Sequence, residues 1–185
     1  MEITFLYDLD KSILFFIQTN LHSPLLDKIM ILATHAGDKG LVWLLLVCVL
    51  LFNSKYRYVG VMALVALALN ALIGEEILKN IVQRPRPYDD FPLVDLLVGK
   101  YRTFSFPSGH TASSFAAAYV LSRYLKRFSL VIWSMAVMIS FSRLYLFMHY
   151  PSDVLGGVVL GLFCGVLVSY LFEHKIKDRQ KKLNI

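Results

Sequence analysis

Two histidines and three cations near the ends of apolar runs are the residues of this chain best suited to chemistry. His149 is followed by Tyr150-Pro151 and, four positions on, by Asp153. That spacing puts Asp153 in the first turn of a helix that starts beside His149. A carboxylate on one ring nitrogen fixes the imidazole tautomer and leaves the other nitrogen as a nucleophile. The plainer alternative is a capping aspartate next to an interfacial histidine. Upstream, Pro107-Ser108-Gly109-His110 precedes the small-residue run Thr111 to Ala118. It has the form of a helix start, with free amide donors at the positive end of the dipole. Gly109 lets the backbone approach an oxygen and Ser108 adds a hydroxyl, although an ordinary capped membrane helix would look similar.

Arg143 lies among Phe141, Leu144, Leu146 and Phe147, where an unpaired guanidinium requires an anion. Lys79 and Arg86, taken singly, could snorkel to the edge of a bilayer. Together the three cations can surround the oxygens of a phosphoryl group, the dominant catalytic device where charge spreads in a transition state. Glu75 and Glu76 precede Lys79 by four and three positions, so either can pair with its ammonium, Glu75 being preferred; a polar contact to a neighbouring helix is the alternative.

These residues need a scaffold, and the composition indicates a membrane. Of 185 residues 57% are hydrophobic and 17% charged, and the apolar residues come in blocks near the about 20 needed to cross a bilayer as a helix. The spacing predicts an all-α, polytopic transmembrane bundle of five or six helices, forming one domain over residues 1–185. Residues 1–23 form an N-terminal interfacial segment carrying an amphipathic helix, too polar to span. The run from Leu25 to Phe52, interrupted around His35 to Gly40, is either one long tilted helix or two pieces. Further spans are expected over Tyr56 to Lys79, Ser108 to Tyr124, Phe128 to Tyr150 and Ser152 to Phe172. The proline cluster at Pro85 and Pro87 ends the first of these. An outer loop over 88–106 holds an apolar piece, Leu93 to Val98, that could form a surface helix, and 173–185 is a basic tail.

The net charge of +6 is explained by membrane orientation and not by nucleic acid. Lys175, Lys177, Arg179, Lys181 and Lys182 place the tail in the cytoplasm, and the alternating spans then put Lys79, Arg86, His110, Arg143 and His149 on the opposite face. An anion site there accounts for basic residues on the side that usually lacks them. Cys48 and Cys164 fall in apolar runs and read as small buried hydrophobes. The acidic start, Glu2, Asp8 and Asp10, argues against a cleaved signal.

The three blocks Lys79-x6-Arg86-Pro87, Pro107-Ser108-Gly109-His110 and Ser142-Arg143-x5-His149-x3-Asp153 together resemble the signature of the type 2 phosphatidic acid phosphatase superfamily of membrane lipid phosphatases, in a small bacterial-type form. The resemblance implies that His149 attacks phosphorus to give a phosphohistidine, that His110 protonates the leaving oxygen, and that Asp153 orients His149. It assigns phosphate binding to Lys79, Arg86, Ser108, Gly109 and Arg143, with no metal and no cofactor. The related vanadium haloperoxidases share such a pocket but resemble soluble domains. The partners expected are a lipid phosphate and the bilayer, with no obligate protein partner. Undecaprenyl diphosphate is the leading substrate by resemblance. Phosphatidic acid, phosphatidylglycerol phosphate and lipid A-type phosphates are alternatives, and a non-catalytic lipid-phosphate-binding or transport bundle is the rival of another class.

Overall fold

A computed structural model describes residues 2–183, with side chains from Phe5 to His174. Among these residues the chain is helical, without strands. The helices are α1 (Glu2–Asn20), α2 (Pro24–Gly37), α3 (Leu41–Phe52), α4 (Arg57–Ala71), α5 (Lys79–Val82), α6 (Pro87–Asp90), α7 (Gly109–Tyr124), α8 (Ser129–Tyr145) and α9 (Pro151–Leu183), and a π-helical segment over Leu72–Leu78 joins α4 to α5. Four stretches are long and apolar enough to cross a membrane: Pro24–Phe52, Arg57–Asp90, Lys126–Tyr145 and Pro151–His174.

Helix α7 is not one of those four. Its 16 residues extend only about 24 Å at 1.5 Å per residue, and they are rich in Ser, Thr and Ala. Tertiary packing places it at the centre, against α4, α8 and α9. Ala112, Ala116 and Ala117 are all but inaccessible, and Trp43 of α3 donates its indole N–H to Ser114 at 2.9 Å. Gly157, Gly161 and Gly165, one turn apart on α9, allow the close approach. A methyl group at Gly157 would lie 2.7 Å from the Ser108 carbonyl, and one at Gly161 would meet the Ala112 carbonyl and, at 2.9 Å, Cβ of Phe115. Small residues at this spacing bring backbones together where lipid supplies no hydrophobic drive.

The first span is two pieces. Helix α2 starts on Pro24, with Ser23 Oγ accepting from the Leu26 amide at 3.3 Å. It stops at a short turn, Asp38–Gly40, in which Lys39 and Gly40 have φ of 51° and 72°, before α3 resumes. Two other expectations are corrected. Leu93 to Val98 forms turns and not a surface helix, because every second residue, Val94, Leu96 and Val98, packs against the core while Leu93 and Leu97 are exposed, a period of two that a helix cannot present. The fourth expected span ends at Tyr145 and not Tyr150, since Phe147 turns the chain at φ 60°.

Helix α1 is amphipathic, as expected. It buries Leu14 and Ile17 and exposes Phe5, Leu6 and Phe16. Its polar face is also anchored. Asp10, 4% exposed, accepts from Arg84 Nη2 at 2.7 Å, from the Ser152 hydroxyl at 2.5 Å and from the Ser152 amide at 2.8 Å. One carboxylate thus fastens α1 to the N-terminus of α9.

Two outcomes test this packing by thermal unfolding in detergent. Gly161→Leu forces a side chain into the Ala112 carbonyl and should destabilise the bundle by about 1–3 kcal/mol, whereas Val159→Leu, at a position 69% exposed on the same helix, should leave the midpoint unchanged. Asp10→Ala removes the acceptor of Arg84 Nη2 and of the Ser152 amide and hydroxyl while leaving Arg84 paired with Asp153, and should cost about 1–3 kcal/mol, with α1 becoming the first segment cut in limited proteolysis.

Candidate active site

Four chain segments meet at one end of the bundle: the α5 exit, the α7 start, the α8 exit and the α9 start. Each is shaped locally. The π-helical turn ends at Lys79, which is buried and donates to Glu75 Oε2 at 2.7 Å. The pairing therefore falls to Glu75; Glu76 is exposed. Gln83, with φ 50°, closes α5, and Pro85 and Pro87 then hold Arg84 and Arg86 on an extended stretch. After α8, both the Met148 and His149 amides donate back to the Arg143 carbonyl, at 3.0 and 3.2 Å. The left-handed Phe147 makes this reversal possible. A bulky residue in that region is strained by about 1–3 kcal/mol, a conformation that concentrates at functional sites. It sets His149 beside Arg143.

His149 is 1% exposed. Its Nε2 is 3.2 Å from Arg86 Nη1, and since a guanidinium can only donate, Nε2 carries a lone pair and Nδ1 the proton. Nδ1 lies 3.3 Å from Ser105 Oγ, which in turn donates to Asp153 Oδ2 at 2.5 Å. The direct separation of Nδ1 from Asp153 Oδ2 is 3.6 Å, too long for a hydrogen bond. The carboxylate thus reaches the ring through a hydroxyl that the sequence reading passed over. Its only signal was position, five residues before His110. Asp153 is held from every side: Arg84 Nη1 donates to Oδ1 at 2.7 Å and the Tyr150 amide to Oδ2 at 2.8 Å. Burial, then the Arg86, Arg143 and Lys79 charges, hold His149 well below the usual histidine range, so the ring is neutral.

The cations are unevenly compensated. Arg86 donates to the Thr103, Met148 and Phe104 carbonyls and to the Thr103 hydroxyl, and Arg143 to the Thr34 hydroxyl. Neither guanidinium has a hydrogen bond to a carboxylate among the described residues. Arg143 is fully buried and its Nε has no partner there. The ring of Tyr101, from the 88–106 loop, lies 5.2 Å from the Arg86 guanidinium and 5.1 Å from that of Arg143.

At the start of α7, Ser108 does not cap the helix with its side chain. Its hydroxyl accepts from Thr111 Oγ1 at 3.0 Å, which leaves its own proton to donate elsewhere. Glu75 sits against Gly109, where a Cβ would collide with its carboxylate. His110 Nε2 is 3.0 Å from Asp38 Oδ1, on the turn that breaks the first span. Asp38 is the second residue the sequence reading missed, there seen only as an interruption.

All eight residues singled out from the sequence, Lys79, Arg86, Ser108, Gly109, His110, Arg143, His149 and Asp153, therefore belong to one buried cluster. The profile of the PAP2 superfamily matches residues 56–177, the region that contains them. The chain is 34% identical to the lipid A 4'-phosphatase of Bacteroides thetaiotaomicron, over 96% of this chain and 82% of that protein. It is 31% identical to phosphatidylglycerophosphatase B of Bacillus subtilis, over 88% and 82%, and 28% identical to the undecaprenyl-diphosphatase BcrC of the same organism, over 79% and 75%. The crystal structure of Aquifex aeolicus LpxE superposes with a TM-score of 0.76 at 27% identity, covering 88% of this chain and 95% of that one. Signature, fold and relatives agree, and the chain belongs to the PAP2 superfamily as a multi-pass membrane phosphatase.

Proposed function

We propose that the chain removes phosphate from a membrane lipid on the outer face of the cell membrane through a phosphohistidine on His149. The observation that carries this reading is the pair of buried guanidiniums, Arg86 and Arg143, beside a neutral imidazole, with no carboxylate hydrogen-bonded to either among the described residues. Buried cations without a counterion favour an anion strongly, and a phosphoryl group has oxygens enough for both guanidiniums and Lys79.

In the first step Nε2 of His149 attacks phosphorus in line, the N–P bond forms and the bond to the leaving oxygen breaks. His110 gives that oxygen its proton, and Ser105 and Asp153 stabilise the proton left on Nδ1 of His149. Lys79, Arg86, Arg143, the Ser108 hydroxyl and the first amides of α7 bind the charge that spreads over the remaining oxygens. Water then attacks the phosphohistidine while neutral His110 takes its proton. Inorganic phosphate leaves and His149 is restored. The three fixed cations supply the charge stabilisation that other phosphatases take from metal ions.

For the substrate, undecaprenyl diphosphate remains the leading candidate, supported by an undecaprenyl-diphosphatase among the relatives. A lipid A-type monophosphate is the second reading, favoured by the 34% identity to a lipid A 4'-phosphatase.

Phosphate release by purified protein from undecaprenyl diphosphate, lipid A, phosphatidylglycerophosphate and phosphatidic acid tests the function and ranks the substrates. A binding or transport bundle would release none. His149→Ala should lower turnover by about 10³-fold or more with the fold retained, vanadate should inhibit as an analogue of five-coordinate phosphorus, and excess chelator should not. A strict need for magnesium would rule out the metal-free route. For orientation, Leu93→Cys in a background without Cys48 and Cys164 should react with an impermeant thiol reagent from outside the cell and Gln180→Cys should not; the reverse pattern would put the site in the cytoplasm.

A further inference from the structure

The turn at Asp38–Gly40 puts an ionisable residue inside a membrane span, where such residues are costly and serve a purpose. We propose that Asp38 is a positioning residue for His110: it holds the Nε2–H and thereby turns Nδ1 toward the phosphate, forming a second carboxylate–imidazole pair across the site from His149 and Asp153. This inference rests on the reading of His149 and His110 given above.

Three observations carry it. The first is the contact itself, His110 Nε2 to Asp38 Oδ1 at 3.0 Å. A carboxylate only accepts, so Nε2 bears the proton and the lone pair of neutral His110 is on Nδ1. The second is backbone shape. Gly37 lies so close to His110 that a Cβ there would be 2.8 Å from ring carbon Cδ2 and 2.6 Å from Ile139 Cγ2, so the α2 end is moulded to the imidazole. Lys39 and Gly40, both at positive φ, then turn the chain so that Asp38 remains against the ring while α3 continues. The third is that the carboxylate is itself oriented. The Tyr101 hydroxyl donates to Oδ1 at 2.8 Å, and His35 Nδ1 is 2.9 Å from Oδ2. Burial pushes the Tyr101 phenol up, which keeps it a neutral donor. The groups facing Asp38 are thus His110 from α7, Tyr101 from the outer loop and His35 from α2, with the Arg143 charge of α8 nearby.

The chemical consequence concerns the proton. Burial, and then the Arg143 and Arg86 charges, hold His110 below the usual histidine range, yet a general acid must carry a proton on Nδ1 when the leaving oxygen departs. Asp38 supplies the local negative charge that lets the imidazolium form there. In the water step the same contact keeps Nδ1 unprotonated and directed at the nucleophile. The two histidines therefore present opposite nitrogens to phosphorus, Nε2 from His149 and Nδ1 from His110.

The test is single-turnover formation of the phosphoenzyme from two monophosphates, an alkyl lipid phosphate whose alkoxide must be protonated and p-nitrophenyl phosphate, whose leaving group needs no acid. Asp38→Asn keeps the shape and removes the charge. It should slow the alkyl substrate by about 10- to 100-fold and the aryl substrate by less than about threefold, with Asp38→Glu recovering part of the loss. In the His110→Ala background Asp38→Asn should add nothing, because the two act as one unit. Equal losses on both substrates, or losses that add in the double variant, would overturn the role of Asp38. His149→Ala measured in parallel separates the two failures: an active His149→Ala overturns the reading of the whole site, and an inactive one with additive Asp38 and His110 losses overturns this inference alone.

Discussion

Burying a guanidinium without a carboxylate is the constraint on which the rest of this structure depends. Arg143 is fully enclosed with its Nε unpartnered, and Arg86 leans on carbonyls and on the lone pair of His149. Leaving a buried charge uncompensated costs several kcal/mol. The fold offsets part of that cost by fixing backbone carbonyls around Arg86, at the α8 exit and in the 88–106 loop, and the Thr34 hydroxyl against Arg143. Under the proposed function the arrangement is preorganised for the phosphate, the condition under which electrostatic stabilisation costs no reorganisation during reaction.

The scaffold follows from the same need. Four chain segments must converge within a few ångström, and only close helix contact allows it. Gly157 and Gly161 let α9 approach α7 until the Ser108 and Ala112 carbonyls touch its surface. This seats Asp153 beside Ser108, whose amide donates to the Asp153 carbonyl at 3.0 Å. Helix α1 then secures the junction from outside, because Arg84 joins Asp10 and Asp153 through its two terminal nitrogens. A surface-facing helix and a buried carboxylate are thereby linked by one side chain.

Each histidine is oriented by an oxygen network that includes residues far away in sequence, Ser105 for His149 and Asp38 for His110. Ser105 and Asp153 hold Nδ1 of His149, while Asp38 and Tyr101 stand behind Nε2 of His110. Tyr101 is central to both the anion site and this support, since its ring faces two guanidiniums and its hydroxyl holds Asp38. The 88–106 loop therefore contributes to the cluster itself.

By itself the sequence determined the helical class, most of the apolar runs long enough to span, and the polar residues that the fold gathers at one end of the bundle. Apolar run length is set by bilayer thickness, and a cluster of Lys79, Arg86, His110, Arg143, His149 and Asp153 at span ends has few other physical explanations. Helical spacing narrowed the partner of Lys79 to Glu75 or Glu76, with Glu75 preferred, and the fold pairs it with Glu75. Only the tertiary structure decided which polar interruptions matter. Asp38 in a span and Asp10 in an amphipathic helix look like surface residues in one dimension, because their partners His110, Arg84 and Ser152 are more than seventy residues away. Ser105 was hidden for a related reason: whether a hydroxyl lies between Nδ1 and a carboxylate is a matter of about an ångström, and spacing along a chain carries no information at that scale. The central place of α7 was likewise decided by packing: the sequence marked Ser108 to Tyr124 as one more span, whereas the Ser and Ala residues of this short helix suit a position enclosed by others.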